Sequence, residues 1–278
     1  MSLGMPYGDD LQFIRDVVSE RASGPNADFF NSIQGDWLAR VQIYIDSRAC
    51  PTSVCTWPAI EPRKGTFLNL YNYPSDDSVQ APIFKKMRRE HGLSVCPGCG
   101  ELSKPTTLDH FLPKDIYPHL CVSPVNLVPM CSECQSVKLK KIGDAATSRF
   151  FIHPYFDNFA AQQILHLEIR PPFDAPTFHF DASPTLSAEE RRQTVAHMRE
   201  MELQERYILF FRREYPSLLR LVQKMHDSGQ NVAQALETIK THEGLRSLNA
   251  WPHVFYSSVL ENPELMAYLI AAQLPNFL

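Results

Sequence analysis

The chain has 278 residues, of which 44% are apolar and 21% charged, an ordinary globular balance with room for one large domain or two small ones. No apolar run approaches the roughly 18–20 residues of a membrane span, and Met1-Ser2-Leu3-Gly4 lacks the basic and apolar regions of a secretory signal, so a cytoplasmic protein without a membrane segment is expected. The net charge of −4 does not favour nucleic acid, but between Lys85 and Lys141 nine basic residues face five acidic ones, so that segment carries +4 and the remainder −8. In chain order, residues 9–22 and 27–47 read as helices, the second from Phe30, Ile33, Trp37, Leu38, Val41, Tyr44 and Ile45 at helical spacing. Residues 51–82 contain five prolines and read as an irregular connection. A helix is expected from Ile83 to His91, with Pro82 at its start and Gly92 at its end. Beyond a central segment, residues 163–170 and 177–181 read as two strands joined across Pro171, Pro172 and Pro176. Ser187 and Glu190 form a capping box for a helix running toward Tyr215, where Pro216 marks a break or a fresh start. Further helices are expected at 217–227, 231–242, 252–260 and 263–272, with Pro252 and Pro263 in first turns.

The central segment carries the chemistry. Cys96-Pro97-Gly98-Cys99 and Cys131-Ser132-Glu133-Cys134 are two C-x-x-C pairs, which in a cytoplasmic protein point to metal before disulfides. Four thiolates make a closed tetrahedral zinc site, structural because no position stays open; a redox pair is the alternative. Thirty-one residues separate Cys99 from Cys131, longer than a simple ribbon spacing, so something else lies between the pairs. Cys50, Cys55 and Cys121 are expected to be small buried thiols.

In the insert, Thr106 to Phe111 is strand-like and contains Asp109-His110. Residues 113–125, with Pro113, Pro118 and Pro124, form a loop, and Asn126 to Met130 returns as a second strand. From Ser132 a helix with a basic end follows. This order of knuckle, strand with Asp-His, loop, Asn-Leu, knuckle and lysine-bearing helix resembles the HNH endonuclease family over residues 96–141. L-D-H-F-L-P-K, P-x-N-L-V-P-x-C and the later His153-Pro154-Tyr155-Phe156-Asp157 resemble a bacterial HNH group, some of whose members are thought to serve in anti-phage defence, including Septu-type systems, beside an ATPase subunit.

With the helix and strand patterns read above, an α+β, mostly helical chain is expected: a helical region 1–92, a core 93–145 that the resemblance implies is a zinc-stapled ββα-metal fold, and 146–278 with short strands followed by helices. The resemblance implies hydrolysis of DNA, with RNA as the alternative substrate, aided by Mg²⁺ or Mn²⁺. A partner ATPase is a further implication. His110 would be the general base, and its ordinary pKa near 6.5 suits that task. Asp109 offers a hard carboxylate oxygen to the cation. Consecutive strand residues point to opposite faces, so Asp109 and His110 share one site only if the strand ends or bulges there. Asn126 would bond across the loop and hold the His-bearing strand in register. Gln135 stands where the family carries Asn and would complete the cation site with a longer reach. Lys138, with Lys114, Lys140 and Lys141, would meet phosphates. His153 and Asp157 would either pack back on the site or serve the next structural layer. Gln135 also favours an alternative, a catalytically weakened module that binds nucleic acid or protein.

Overall fold

The computed structural model describes residues 1–144 and 147–271. The boundary expected between 145 and 146, and the expected helix end at 272, lie outside these residues. Among the described residues the protein is α+β and mostly helical, with two small antiparallel sheets of two strands each. No helix among them is long and apolar enough to cross a membrane. Backbone contacts divide the chain into two compact units. One is Ser2–Gly98 with Ser103–Asn158; the other is Met1, Cys99–Leu102 and Phe159 onward.

In the first unit, α1 (Asp10–Ser19) starts at Asp9, whose carboxylate accepts the Gln12 amide at 2.9 Å and satisfies one of the donors a helix start leaves orphaned. Its buried face is Phe13, Ile14, Val17 and Val18. Helix α2 (Ala27–Asp46) buries Phe30, Trp37, Val41 and Tyr44, four of the seven residues read as its apolar stripe. Residues 51–82 are not irregular throughout: α3 (Lys64–Asn72) lies inside them. Two of that segment's five prolines, Pro58 and Pro62, fall in the 3-10 turn just before α3 and leave the helix interior free. Phe67 of α3 then packs edge-on against Trp37, with ring centroids 5.0 Å apart. Helix α4 (Gln80–Arg89) follows. Strand β1 (Thr107–His110) pairs antiparallel with β2 (Leu127–Met130), placing Asp109 opposite Val128 and His110 opposite Leu127. After Cys131, helix α5 (Ser132–Lys138) completes a ββ-helix arrangement.

This unit fully buries two further histidines, His119 and His153. Among the described residues His119 has no hydrogen-bond partner at either ring nitrogen, and burial pushes its pKa to about 3. His153 bonds Tyr44 Oη through Nε2 at 2.9 Å, and burial holds its pKa well below the ordinary value. Imidazoles that stay neutral in the folded chain, with pKa values below the unfolded value of about 6.5, are protonated first in the unfolded chain. Stability is therefore complete above that pH and declines as pH falls toward the folded pKa. Acidifying from pH 7 to 5 is expected to remove about 2 kcal/mol through His119, with His153 acting in the same direction, read from urea unfolding midpoints. His119→Phe should flatten this dependence and raise stability at pH 5, since it removes two unpartnered buried nitrogens. An unaltered slope would show that His119 is not the titrating group.

In the second unit, β3 (Leu165–Arg170) pairs antiparallel with β4 (Thr177–Ala182), from Leu165 opposite Ala182 to Arg170 opposite Thr177. Leu165, Leu167 and Ile169 face inward between more exposed His166, Glu168 and Arg170. Helix α6 (Ala188–Glu200) has the capping box read from Ser187 and Glu190. The break expected at Pro216 falls earlier. Glu202 adopts a left-handed conformation, and α7 (Leu203–Asp227) runs through Pro216. One lost backbone hydrogen bond is offset by a buried stripe that spans it: Tyr207, Phe211, Tyr215, Leu218, Val222 and Met225. Helices α8 (Val232–Gly244), α9 (Trp251–Glu261) and α10 (Pro263–Ile270) follow, and Pro252 and Pro263 sit in first turns as expected.

Candidate active site

The sulfur ligand atoms of Cys96, Cys99, Cys131 and Cys134 lie within 4.8 Å of one another, and all four residues are buried. The set could hold a metal ion. Tetrahedral zinc with bonds of about 2.3 Å would set its sulfurs ~3.8 Å apart, and Cys96 Sγ lies 4.0 Å from Cys134 Sγ. The sulfurs also collect donors suited to thiolates. The Cys131 amide reaches Cys96 Sγ, and the Cys134 amide reaches Cys131 Sγ, each at 3.4 Å. Arg206 approaches Cys99 Sγ at 3.7 Å while pairing with Glu101 at 2.7 Å. Tyr207 Oη and Trp251 Nε1 both donate to the Cys99 carbonyl. Gly100 is required here: its φ is +82°, and a Cβ would lie 2.1 Å from the Asn249 carbonyl oxygen. Of the remaining cysteines only Cys121 is the buried thiol expected; Cys50 is half-buried and Cys55 is exposed. Cys55 lies in the connection between α2 and α3, outside any regular element.

Helix α5 lies beside β1 and brings its side chains to a cleft of about 230 Å³ lined by Tyr71, Asp109, His110, Lys114, Asp115 and Gln135, among others. Strand β1 ends at His110, and the two consecutive residues line this one cleft. Lys138 Nζ lies 2.9 Å from Asp109 Oδ2, so the ammonium stands directly against the carboxylate. Burial holds the Asp109 carboxyl above its ordinary range, opposed first by the charge of Lys138 and its hydrogen bond, and then by a hydrogen bond from Gln135. Lys138 is thus placed differently from a phosphate contact: it is 1% exposed, and Nζ also donates to the His110 carbonyl at 2.7 Å.

His110 Nε2 lies 2.9 Å from the Cys121 carbonyl, which can only accept, so Nε2 carries the proton. Among the described residues no hydrogen bond engages Nδ1. The Tyr71 ring stands edge-on to the imidazole at 4.3 Å, fixed by its hydroxyl on the Leu108 carbonyl. Burial, followed by Lys114, Lys138 and Arg88, pushes the His110 pKa to about 3 against the opposing hydrogen bond to Cys121.

Asn126 is fully buried and bonds across the loop. Oδ1 accepts the Leu112 amide at 2.8 Å, and Nδ2 donates to the Leu112 and Leu120 carbonyls, each at 3.1 Å. Asn126→Ala would strand all three groups, and a loss of about 3 kcal/mol in urea unfolding is expected. A loss below about 1 kcal/mol would show that the loop does not depend on this side chain.

The other expected nucleic-acid contacts vary in placement. Lys114 lines the cleft, donates to Asn72 Oδ1 at 2.7 Å and lies over the Tyr71 ring. Lys140 also lines it and pairs with Asp115 at 2.7 Å. Both Lys140 and Lys141 lie past the end of α5, so the basic helix terminus is Lys138 alone. His153 and Asp157 serve structure outside the cleft: Asp157 accepts the His153 amide at 2.6 Å and Arg149 at 2.8 Å.

No protein-family model matches the chain. It is 28% identical over 117 residues to Protein ea31 of Escherichia phage lambda. That match covers 41% of this chain and 40% of the phage protein, so the chain spans well under half of that relative's length. No solved structure matches.

Three contributors to the cleft had no sequence signal. The Cys121 carbonyl that orients His110 is a backbone atom, and Tyr71 lies in the segment read as irregular. Asp10 accepts Ser123 Oγ at 2.7 Å and the Val125 amide at 3.0 Å, tying down the loop between Cys121 and Asn126 from more than a hundred residues away.

Proposed function

We propose that this chain is a metal-dependent HNH endonuclease that hydrolyses phosphodiester bonds of DNA. The supporting observation is the pairing, in one cleft, of a buried carboxylate, Asp109, with an imidazole whose proton is committed to the far nitrogen. Asp109 and Gln135 would hold the cation; their hard oxygens suit Mg²⁺ or Mn²⁺. Bound there, the ion would supply charge stabilisation for the phosphate and the leaving oxygen. His110 would take a proton from water at Nδ1, while the Cys121 carbonyl keeps the ring oriented and favours the imidazolium that forms. Asn126 and Tyr71 position that ring. Lys114 and Lys140 would supply sequence-independent attraction for the phosphate backbone.

One observation favours a second reading, a weakened HNH-fold binding module. The Lys138 ammonium already stands 2.9 Å from Asp109 Oδ2, where a cation's charge would act. Nicking of supercoiled plasmid with Mg²⁺, Mn²⁺ or EDTA separates the two. The nuclease reading expects nicks with 5′-phosphate and 3′-hydroxyl ends that need the cation. No nicking by the natural chain, together with nicking by Gln135→Asn, would establish the weakened module instead. RNA cut faster than DNA would exchange the substrate. The ATPase partner and the anti-phage role rest on the resemblance alone; pull-down from the native host tests them, and recovery of no stable partner counts against both.

A further inference from the structure

Leu139 follows the last residue of α5 with φ +46° and ψ −118°. This is the first central position of a type II′ turn, closed by the Lys141 amide on the Lys138 carbonyl at 3.0 Å. Glycine is favoured there, and a leucine is strained. Burial does not compensate the strain: the side chain is 66% exposed. It nevertheless lines the same cleft as Asp109, His110 and Gln135, next to Lys140. An apolar side chain held out at the edge of a polar cleft gains little from phosphate oxygens or sugar hydroxyls. The faces of bases are the apolar surfaces a nucleic acid can offer it.

We propose that Leu139 is a wedge that packs against a base beside the scissile phosphate and unstacks it, letting the backbone descend to Asp109 and His110. This inference rests on the nuclease reading above. It goes beyond that reading in assigning the cleft a preference for strands that are already unstacked.

The test compares the natural chain with Leu139→Ala and Leu139→Gly. Unstacking is read in EDTA from the fluorescence of a DNA duplex in which several adenines are 2-aminopurine. Cutting is read with a divalent cation on an intact duplex and on one carrying a mismatch bubble. The natural chain should raise the fluorescence, and neither variant should. On intact duplex both variants should lose about 10-fold in kcat/KM, whereas on the bubble they should stay within about 2-fold of the natural chain. Leu139→Gly should also melt about 2 °C higher, because it relieves the backbone strain. Equal losses on both substrates, no fluorescence rise with the natural chain, or a lower melting temperature for Leu139→Gly would each overturn the wedge. A natural chain that cuts while Leu139→Ala cuts equally well removes the wedge and leaves the nuclease reading standing. A natural chain that cuts neither substrate removes both.

Discussion

His110→Ala is expected to slow plasmid nicking by about 10³-fold, the scale of a lost general base, while the chain stays folded and keeps its metal. The expectation rests on the proton's position. With Nε2–H engaged by the Cys121 carbonyl, Nδ1 is the nitrogen left to accept a proton, and burial keeps the ring neutral. The fold should survive because the substitution strands a single carbonyl and opens a small cavity, a cost of about 1–3 kcal/mol. A structural explanation of the lost rate is separable by adding imidazole: partial rescue marks a missing base, whereas a displaced loop would not respond. Nicking within a few-fold of the natural chain would remove His110 from the chemistry. Cys121 itself is a poor target for the same question, since the acceptor is its backbone carbonyl and its thiol is turned to the Phe67 carbonyl at 3.0 Å.

The features legible in the sequence were those whose chemistry is local. The two cysteine pairs declare themselves by spacing, and their sulfurs do converge. Asn126 was expected to bond across the loop, and it does so with both ends of its amide. The Ser187–Glu190 box and the first-turn prolines of α9 and α10 depend on three or four residues each. What escaped depends on distant partners. Helix α3 is only nine residues long and was masked by flanking prolines; Phe67, Leu70 and Tyr71 are buried on it. Pro216 reads as a breaker until the buried stripe on both sides of it is seen. Lys138 reads as a phosphate contact, because nothing in K-L-K-K shows that its first ammonium turns inward to Asp109. The exposed Cys55 shows the limit of composition, since a thiol's burial follows from the element around it.

Loss of the metal is expected to undo the site from outside the chemistry. Strands β1 and β2 are four residues each, and α5 is seven. A two-stranded hairpin of that size, or a helix that short, is marginal by itself in water. Cys131 is both a member of the thiol cluster and the cap of α5, accepting the Cys134 amide at the helix start. That helix presents Gln135 and Lys138 to Asp109, so a slack cluster would misplace the groups around the carboxylate before it touched His110. Zinc binding to four thiolates yields roughly 10 kcal/mol or more, and where no site preforms that energy becomes folding energy. The purified chain should therefore carry one zinc, and Cys131→Ser should lower its content together with the thermal stability. A strong chelator should abolish nicking in a way that Mg²⁺ alone does not restore and added Zn²⁺ followed by Mg²⁺ does. Cys55→Ser, at an exposed thiol outside the cluster, should change neither metal content nor stability. A metal-free chain with an unchanged melting temperature would show that the four thiols stand together without holding the hairpin and α5 in place.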